Sequence, residues 1–291
     1  MGLARALAVA AVSLILSGVL VIASTPDVRE GPVPIEPPVH PRRIVAIGLH
    51  QDEVALALAP DRVVAVDRFA DDREASFVVE EARAIEARVT VSSESILRLD
   101  PDLVLLPGWV DRELEAAITR AGVAVHREPV VTSIDGIEAS LRRLGVLLDA
   151  APEADALIAR LHEALSELPT RTDRPSALLL SATGTSPGQD TLFAELVARA
   201  GGRIAIERSG IVPLSMETVL ALDPEVIFLD GYVADGRART LGGDTGLPAP
   251  LRAHLRAART YRVHSLSARE ANTTSHHVIE TLRTLAEQLS R

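Results

Sequence analysis

Aromatic and arginine side chains beside predicted strands are the residues of this sequence best suited to chemistry. Trp109 and Tyr232 each follow a glycine that ends a buried apolar run. Two flat side chains at such places can contact a planar ligand. Arg68 follows a predicted strand and Arg269 precedes the last predicted helix. Because a guanidinium can donate paired hydrogen bonds to carboxylates, these residues indicate a ligand that is both conjugated and anionic.

Histidine offers a second kind of chemistry, because one histidine can ligate the iron or cobalt of a chelate. His50 follows the first predicted strand, and His264 lies in the last. A lone histidine is more commonly just hydrogen-bonded, so axial ligation is the less favoured of two open alternatives. His276 and His277 are adjacent and would point about 100° apart on a helix, which prevents joint chelation. The sequence accordingly predicts no resident metal site and no cofactor.

The segment Gly184–Gly188 fits the Gly-x-Ser-x-Gly nucleophile elbow of hydrolases. The oxyanion hole of such an enzyme uses the backbone N–H of the residue after the serine, and Pro187 has none. We therefore expect no enzymatic activity, and we expect Thr185 and Ser186 to offer polar contacts at the rim of a ligand cleft. An α/β hydrolase-type enzyme using the same cleft is the less favoured alternative.

Composition restricts the partners of the 291-residue chain. Its formal charge of −10 argues against nucleic acid, which requires a basic surface. Lysine is absent, which excludes Walker-type phosphate loops and Schiff-base chemistry. Cysteine is absent too, which excludes disulfides and thiolate metal sites. These exclusions leave noncovalent binding as the main expectation.

Two N-terminal segments precede the predicted folded region. Residues 1–24 carry an apolar run after Arg5 and are predicted to be a signal peptide or an N-terminal anchor. Residues 25–41 are rich in proline and are predicted to form an extended tether. This arrangement indicates export, with membrane contact only through an uncleaved anchor.

Strand and helix patterns alternate along the rest of the chain, which indicates α/β lobes with central parallel sheets. A polar helical stretch is predicted around Phe77–Ala87, and one helix over Leu251–Ala258. Apolar residues at helical spacing predict two consecutive helices in the middle of the chain. The pattern divides the chain into an N-terminal lobe at 42–132, linking helices at 133–170 and a C-terminal lobe at 171–291.

An internal repeat connects the two lobes. The stretch Ser92–Val110 reappears as Ser215–Val233. In each copy a serine begins a helix with glutamate in its first turn, and an Asp-Pro pair ends it before an apolar strand. We expect the copies to lie in separate lobes whose strand ends face each other across a cleft. The paired residues are Glu94 with Glu217 and Asp100 with Asp223.

The chain resembles the substrate-binding proteins of iron-complex and corrinoid ABC importers, which take up vitamin B12, ferric siderophores or haem. The segments that carry the resemblance are RIVAIGLHQDEVALALA, ESILRLDPDLVLL with its echo ETVLALDPEVIFL, and GQDTLFAELVARAGG. The similarity spans nearly all of Arg43–Arg291. It implies two Rossmann-like lobes joined by a long α-helix, with the ligand cleft between the lobes. It also implies a periplasmic, exported protein that captures a metal chelate.

The resemblance assigns roles to particular residues. Glu94 and Glu217 are expected to dock with the importer permease, which is the expected protein partner. The protein itself is expected to be a monomer. A receptor for free zinc or manganese is the alternative within this class, and histidines converging in the cleft would favour it. The candidate ligand-binding residues are His50, Arg68, Trp109, Thr185, Ser186, Tyr232 and Arg269.

Overall fold

The computed structural model describes residues 34–181, 183–230 and 247–291. Its strands are β1 (Ile44–Ala46), β2 (Val63–Asp67), β3 (Ala87–Val89), β4 (Leu103–Pro107), β5 (Ala124–Glu128), β6 (Ser176–Leu180), β7 (Thr185–Pro187), β8 (Arg203–Ile204), β9 (Ile211–Pro213), β10 (Val226–Asp230) and β11 (Val263–Leu266). Its helices are α1 (Leu49–Leu58), α2 (Val79–Ala82), α3 (Ser93–Leu97), α4 (Arg112–Arg120), α5 (Ile134–Leu147), α6 (Ala151–Ser166), α7 (Leu192–Arg199), α8 (Met216–Leu222), α9 (Ala249–His254), α10 (Arg256–Arg259), α11 (Ala268–Asn272) and α12 (Val278–Ser290), with a 3₁₀ turn at Pro60–Arg62.

Two parallel sheets organise the two lobes. The first has the strand order β3-β2-β1-β4-β5, and the second has the order β11-β10-β6-β8. Strands β7 and β9 form a separate antiparallel pair. The order of the first sheet reverses between β1 and β4, which marks the place where ligands gather in open α/β sheets. The predicted fold class, two α/β lobes with parallel sheets, is confirmed.

The apolar runs became strands because both of their faces are covered. All of β4 is buried: Leu103 and Leu105 pack into one hydrophobic cluster, and Val104 and Leu106 pack into another on the opposite face. Strand β10 is divided in the same way between two clusters. A strand buried on both sides needs apolar side chains at every position, which removes the usual alternation.

The internal repeat folds as two similar helix–strand units in different sheets, as the sequence predicts. Ser215 caps α8 by accepting a hydrogen bond from the Thr218 N–H at 3.2 Å. Ser92 occupies the same position before α3 but makes no side-chain cap. Asp100 and Asp223 both adopt left-handed backbone conformations, with φ of 48° and 36°. Aspartate tolerates this region better than most residues. Asp223 ends α8 directly, whereas α3 ends at Leu97 and Asp100 turns the chain into the strand three residues later.

One hydrophobic core extends through both lobes. It includes Ile44 of the first sheet, Phe228 of the second, and Leu141 and Leu161 on the linking helices α5 and α6. Helix α12 adds Leu285 to the same cluster. The described residues fall within a single compact unit, Pro34–Arg291. The predicted linking helices are therefore part of the core that both sheets share.

Direct contacts also join the lobes beside α1. The Arg269 N–H donates to the Glu74 carbonyl at 2.7 Å, and the Ser275 hydroxyl donates to Glu53. The Phe77 and His277 rings are stacked with centroids 4.9 Å apart. Each contact joins α1 or the chain that follows β2 to the chain that follows β11, so the lobes are fastened together at this point.

Two predicted helices are corrected by the structure. The stretch Phe77–Ala87 holds only the short α2 and then enters β3, an edge strand that pairs with β2 alone. The helix predicted over Leu251–Ala258 is two helices, because Leu255 is extended and fully buried. Asp223 accepts a hydrogen bond from the Arg256 N–H at 2.7 Å, which caps the second helix from a distant part of the sequence.

The predicted signal peptide or anchor at 1–24 lies outside the described residues, and so do residues 25–33 of the predicted tether. The described helices include none that combines the length and the apolar character required to cross a membrane.

Candidate ligand-binding cleft

A cavity of about 700 Å³ lies at the carboxyl ends of the strands of the first sheet. Its position is the one expected for a ligand site, beside the reversal of strand order between β1 and β4. A volume of this size is typical of pockets for small molecules. All five strands contribute lining residues at their ends, namely Gly48, Arg68, Thr90, Trp109 and Pro129.

A second cavity, of about 380 Å³, shares His50, Trp109 and Thr274 with the first. Its other wall includes Ala268 and Arg269 of α11, which follows the last strand of the second sheet. Residues of both lobes therefore line two adjoining cavities, which together form the cleft between the lobes.

Trp109 stands at the mouth of the cleft. It occupies a tight turn in which the Val110 N–H donates to the Pro107 carbonyl at 3.1 Å. The residue is 67% exposed, so most of the indole faces open space. An exposed aromatic ring beside a cavity provides a flat apolar surface for a ligand. Val91 and Val130, both exposed, line the same cavity and extend this surface.

Two arginines, one from each lobe, line the cleft without an acidic partner. The guanidinium of Arg68 lies 4.5 Å from the centroid of the Phe69 ring, and that of Arg269 lies 5.1 Å from the Phe77 ring. Neither arginine forms an ion pair within residues 34–181, 183–230 and 247–291. Stacking orients each cation. The Nε of Arg269 is buried without a hydrogen-bond partner among the described residues, so a ligand would be met by the terminal N–H groups of this guanidinium. The arrangement favours a ligand with anionic groups at its edge.

His50 is half-buried, and both of its ring nitrogens have protein partners. Nδ1 lies 3.1 Å from the Thr274 carbonyl, which can only accept, so this nitrogen carries the proton. Nε2 lies 2.9 Å from the Ser140 hydroxyl and accepts its hydrogen bond. Burial lowers the pKa of His50, which favours this neutral form. Neither nitrogen is free for a metal in this arrangement.

The acidic side chains on the cleft floor are satisfied by the protein itself. Asp67 accepts hydrogen bonds from the Gly48 and Phe69 N–H groups at 3.2 and 3.0 Å. Glu128 is almost fully buried and pairs with His126 at 2.8 Å and with Arg143. Burial raises the pKa of Glu128, but the hydrogen bonds from its partners outweigh burial and lower it overall. Glu128 is thus paired with a cation and Asp67 is held by backbone N–H groups, whereas Arg68 and Arg269 have no ion-pair partner among the described residues.

Thr185 and Ser186 lie in β7 and are absent from the lining of both cavities of the cleft. Ser186 is fully buried, and its hydroxyl donates to the Pro187 carbonyl at 3.3 Å. The segment that the sequence suggests as a polar rim is instead a strand paired with β9. Tyr232, the predicted counterpart of Trp109, lies outside the described residues.

Several cleft residues gave no signal in the sequence. Glu128 and Asp67 end their strands as ordinary acidic residues, and Thr274 lies in an unpatterned segment before α12. Their places depend on contacts between distant parts of the chain, which no local pattern records. Within the part of the chain that the structure describes, no group of three or more histidine, aspartate or glutamate side chains is arranged to hold a metal ion.

The two repeat glutamates lie outside the cleft on exposed helix starts. Glu94, in the first turn of α3, has a side chain that is 84% exposed and pairs with Arg98 at 2.9 Å. Glu217, in the first turn of α8, is also exposed. Hydrogen bonds from its own backbone N–H and from Ser215 lower the pKa of Glu217, so the carboxylate is charged at neutral pH. Two negative charges therefore occupy equivalent positions in the two lobes.

Two parallel-sheet lobes with a cavity lined from both are an arrangement typical of a protein that binds a small solute. A family model described as periplasmic binding protein matches residues 44–270. The chain belongs to the periplasmic binding protein family. The family predicted from the sequence is confirmed.

One curated relative of this chain is named for a metal chelate, cobalamin. A cobalamin-binding protein of Halobacterium salinarum is 27% identical over 202 residues, which cover 66% of this chain and 54% of that protein. The chain thus spans about half the length of this curated relative.

Solved structures show the same fold. The periplasmic heme-binding protein RhuT of Roseiflexus sp. RS-1 has a TM-score of 0.72 at 24% identity, covering 85% of this chain and 97% of that one. The vitamin B12 binding protein BtuF of Vibrio cholerae has a TM-score of 0.64 at 20% identity, covering 87% and 98%. An Fe³⁺-hydroxamate transport protein of Saccharomonospora viridis has a TM-score of 0.68 at 21% identity, covering 87% and 94%.

Proposed function

We propose that this protein captures a metal chelate of the corrinoid, haem or ferric siderophore class in the periplasm and delivers it to an ABC importer permease. The observation that carries the proposal is a cleft with an exposed indole at its mouth and, on each side, a guanidinium that has no ion-pair partner in the part of the chain that the structure describes. The family and the chelates named for its relatives support the same class of ligand.

The chemistry of the cleft fits such a ligand in two ways. Trp109, Val91 and Val130 offer an apolar surface for a conjugated ring or an organic ligand shell. Arg68 and Arg269 offer charge-assisted hydrogen bonds to peripheral carboxylates. Because His50 is engaged by Thr274 and Ser140, the binding free energy comes from the organic part of the chelate rather than from ligation by His50.

Export completes the proposal. The apolar run in residues 1–24 would direct the chain across the membrane, and the proline-rich residues 25–41 would hold the binding domain away from it. A cleaved segment gives a free periplasmic protein, and a retained one gives a tethered protein. Mass spectrometry of the protein purified from its own envelope distinguishes the two.

Fluorescence of the single tryptophan tests the ligand class directly. We expect haemin, cyanocobalamin or a ferric hydroxamate to quench Trp109, because the bound chelate lies against the indole. Quenching by none of the three, together with strong binding of free zinc or manganese, would establish the metal-receptor alternative. Measurable ester hydrolysis that is lost in Ser186→Ala would establish the enzyme alternative.

The arginines are tested with a matched exposed arginine. Arg68→Gln and Arg269→Gln should each weaken binding of an anionic chelate by roughly tenfold, an effect that added salt reduces in the wild-type protein. Arg112→Gln is the control, because that side chain is 83% exposed and lies outside the cleft. Equal affinities for all three variants would remove the arginines from the binding site.

A further inference from the structure

Arg127, on β5, binds the backbone on both sides of Trp109. Its Nη2 donates to the Gly108 carbonyl at 2.7 Å and to the Val110 carbonyl. The other arm of the guanidinium, Nη1, donates to Glu115 of α4 at 3.4 Å. Arg127 lies outside the lining of the cleft, and its side chain is 21% exposed. Its contacts therefore support the turn that carries the indole rather than the ligand.

Val110 anchors one end of the turn, because its side chain is 2% exposed and packs into the hydrophobic cluster of the first lobe. The internal hydrogen bond of the turn joins Val110 to Pro107, and the indole is mostly exposed. Gly108 lies close against the end of β5, where an added Cβ would be 2.8 Å from the Glu128 carbonyl oxygen. Because the turn lies so close to β5, the Gly108 and Val110 carbonyls, one on each side of Trp109, are both within reach of the Arg127 guanidinium.

We infer that Arg127 is a positioning residue that sets the orientation of Trp109 in the ligand cleft. A guanidinium is planar and carries five donors in fixed directions, so it can hold two carbonyls and a carboxylate at once. A lysine ammonium carries its donors on a flexible stem and does not impose that geometry. The part of the inference that concerns affinity rests on the proposed function, whereas the part that concerns the indole does not.

Loss of this support should act on binding through preorganisation. A loose indole must be ordered when a ligand arrives, and the ordering cost weakens binding by roughly threefold to tenfold. The same variant should leave the overall fold in place, because the Arg127 guanidinium bonds only to the turn and to Glu115 among the described residues and does not join the two lobes.

The test measures Trp109 in the ligand-free protein first. Arg127→Met should lower the fluorescence anisotropy of Trp109 and reduce its near-ultraviolet circular dichroism, with Arg127→Lys intermediate. Arg112→Met is the matched control, since Arg112 approaches the same carboxylate, Glu115, at 4.0 Å but lies on the surface. The fluorescence, excited at the long-wavelength edge of the indole band, belongs to one residue because the chain has one tryptophan. The dichroism is read in the same long-wavelength band, where the two tyrosines and four phenylalanines of the chain do not contribute.

Each variant is then titrated with haemin, cyanocobalamin and a ferric hydroxamate. We expect Arg127→Met to lose affinity and the control Arg112→Met to keep it. Wild-type anisotropy and dichroism in Arg127→Met would overturn the inference. Should that variant not fold, Arg127→Gln takes its place, since its shorter amide cannot bridge the two carbonyls, and unchanged signals there overturn the inference equally. If the wild-type protein binds no chelate, the proposed function fails, while the ligand-free signals still decide the role of Arg127.

Discussion

His50 shows how one side chain can join three parts of the molecule. It begins α1 in the N-terminal lobe, contacts Ser140 on the linking helix α5, and contacts Thr274 in the C-terminal lobe. Ser140 is fully buried, so its hydroxyl has no access to water as a substitute partner. A histidine that the sequence suggests for metal ligation is thus placed where it connects both lobes.

We expect His50→Ala to destabilise the protein by about 1–3 kcal/mol, because it leaves buried polar partners without hydrogen bonds. The free energy of unfolding in urea measures the change. His162→Ala is the control, since His162 is 56% exposed and contacts only Glu138. That variant should stay within about 0.5–1 kcal/mol of the wild type. Equal losses in the two variants would contradict the role assigned to His50.

Asp52 provides a pH-dependent prediction. Burial raises its pKa well above the ordinary value of 3.8; Asp67 and Glu53 add to this, while the Asp67 N–H and Arg88 oppose it. The folded protein therefore keeps a proton that the unfolded chain has lost, so this group makes stability fall as pH rises above 3.8 toward the raised pKa. Asp52→Asn has no carboxyl group to titrate at this position, so it lacks this fall in stability. The free energy of unfolding of the variant should therefore rise relative to that of the wild type as pH increases.

Urea unfolding of both proteins at about pH 5 and about pH 8 measures this difference. Asp71→Asn is the control, because hydrogen bonds from Arg88 lower the pKa of Asp71 and place its own effect below pH 3.8. Its difference from the wild type should be the same at both pH values. If the free energy of unfolding of Asp52→Asn differed from that of the wild type by the same amount at both pH values, the pKa of Asp52 would not be raised in the folded protein.

The repeated helix–strand unit allows one element to be compared with its copy. Ser215→Ala should cost about 1 kcal/mol, because it removes the hydrogen bond that caps α8. Ser92→Ala should cost less than about 0.5 kcal/mol, because Ser92 makes no side-chain cap before α3. Thermal and urea unfolding of the two variants provide the measurement. A larger loss for Ser92→Ala would show that the caps are distributed differently in solution.

The sequence predicted those elements whose causes are local. The runs of β4 and β10 are apolar because both faces are covered, and the Asp-Pro pairs end their helices within the same segment. It failed where a distant residue decides the structure. Asp223 caps α10 from another part of the C-terminal lobe and so separates it from α9.

Part of the lining of the candidate cleft could also be located from the sequence. His50, Arg68, Trp109 and Arg269 line the cleft because strand ends and the residues after them can be located from the sequence. The support of Trp109 by Arg127 could not be predicted, because it depends on how β5 packs beside β4.

The equivalent positions of the two exposed glutamates support a docking role for the molecule as a whole. Each lobe carries one glutamate at a helix start outside the cleft. We expect Glu94→Arg and Glu217→Arg together to abolish uptake of labelled chelate while leaving ligand affinity unchanged, because they reverse the charges proposed to meet the permease.

Uptake by cells that carry the variant in place of the wild-type protein measures the first effect, and Trp109 quenching measures the second. Glu153→Arg is the matched control, since Glu153 is also an exposed glutamate in the first turn of a helix, α6. A loss of affinity equal to the loss of uptake would place Glu94 and Glu217 in the ligand site instead.

The core shared by both lobes has a consequence for how the chain is made. Ile44 of β1 and Leu285 of α12 belong to one cluster, although they lie near opposite ends of the described chain. During synthesis the first sheet emerges long before the helix that completes its core. One face of the first sheet is covered by residues of its own lobe, but the other lacks some of its partners until the C-terminal helices are made. We therefore expect the N-terminal lobe alone to be less stable than the whole chain, and a chain that crosses the membrane unfolded would gain time from this delay.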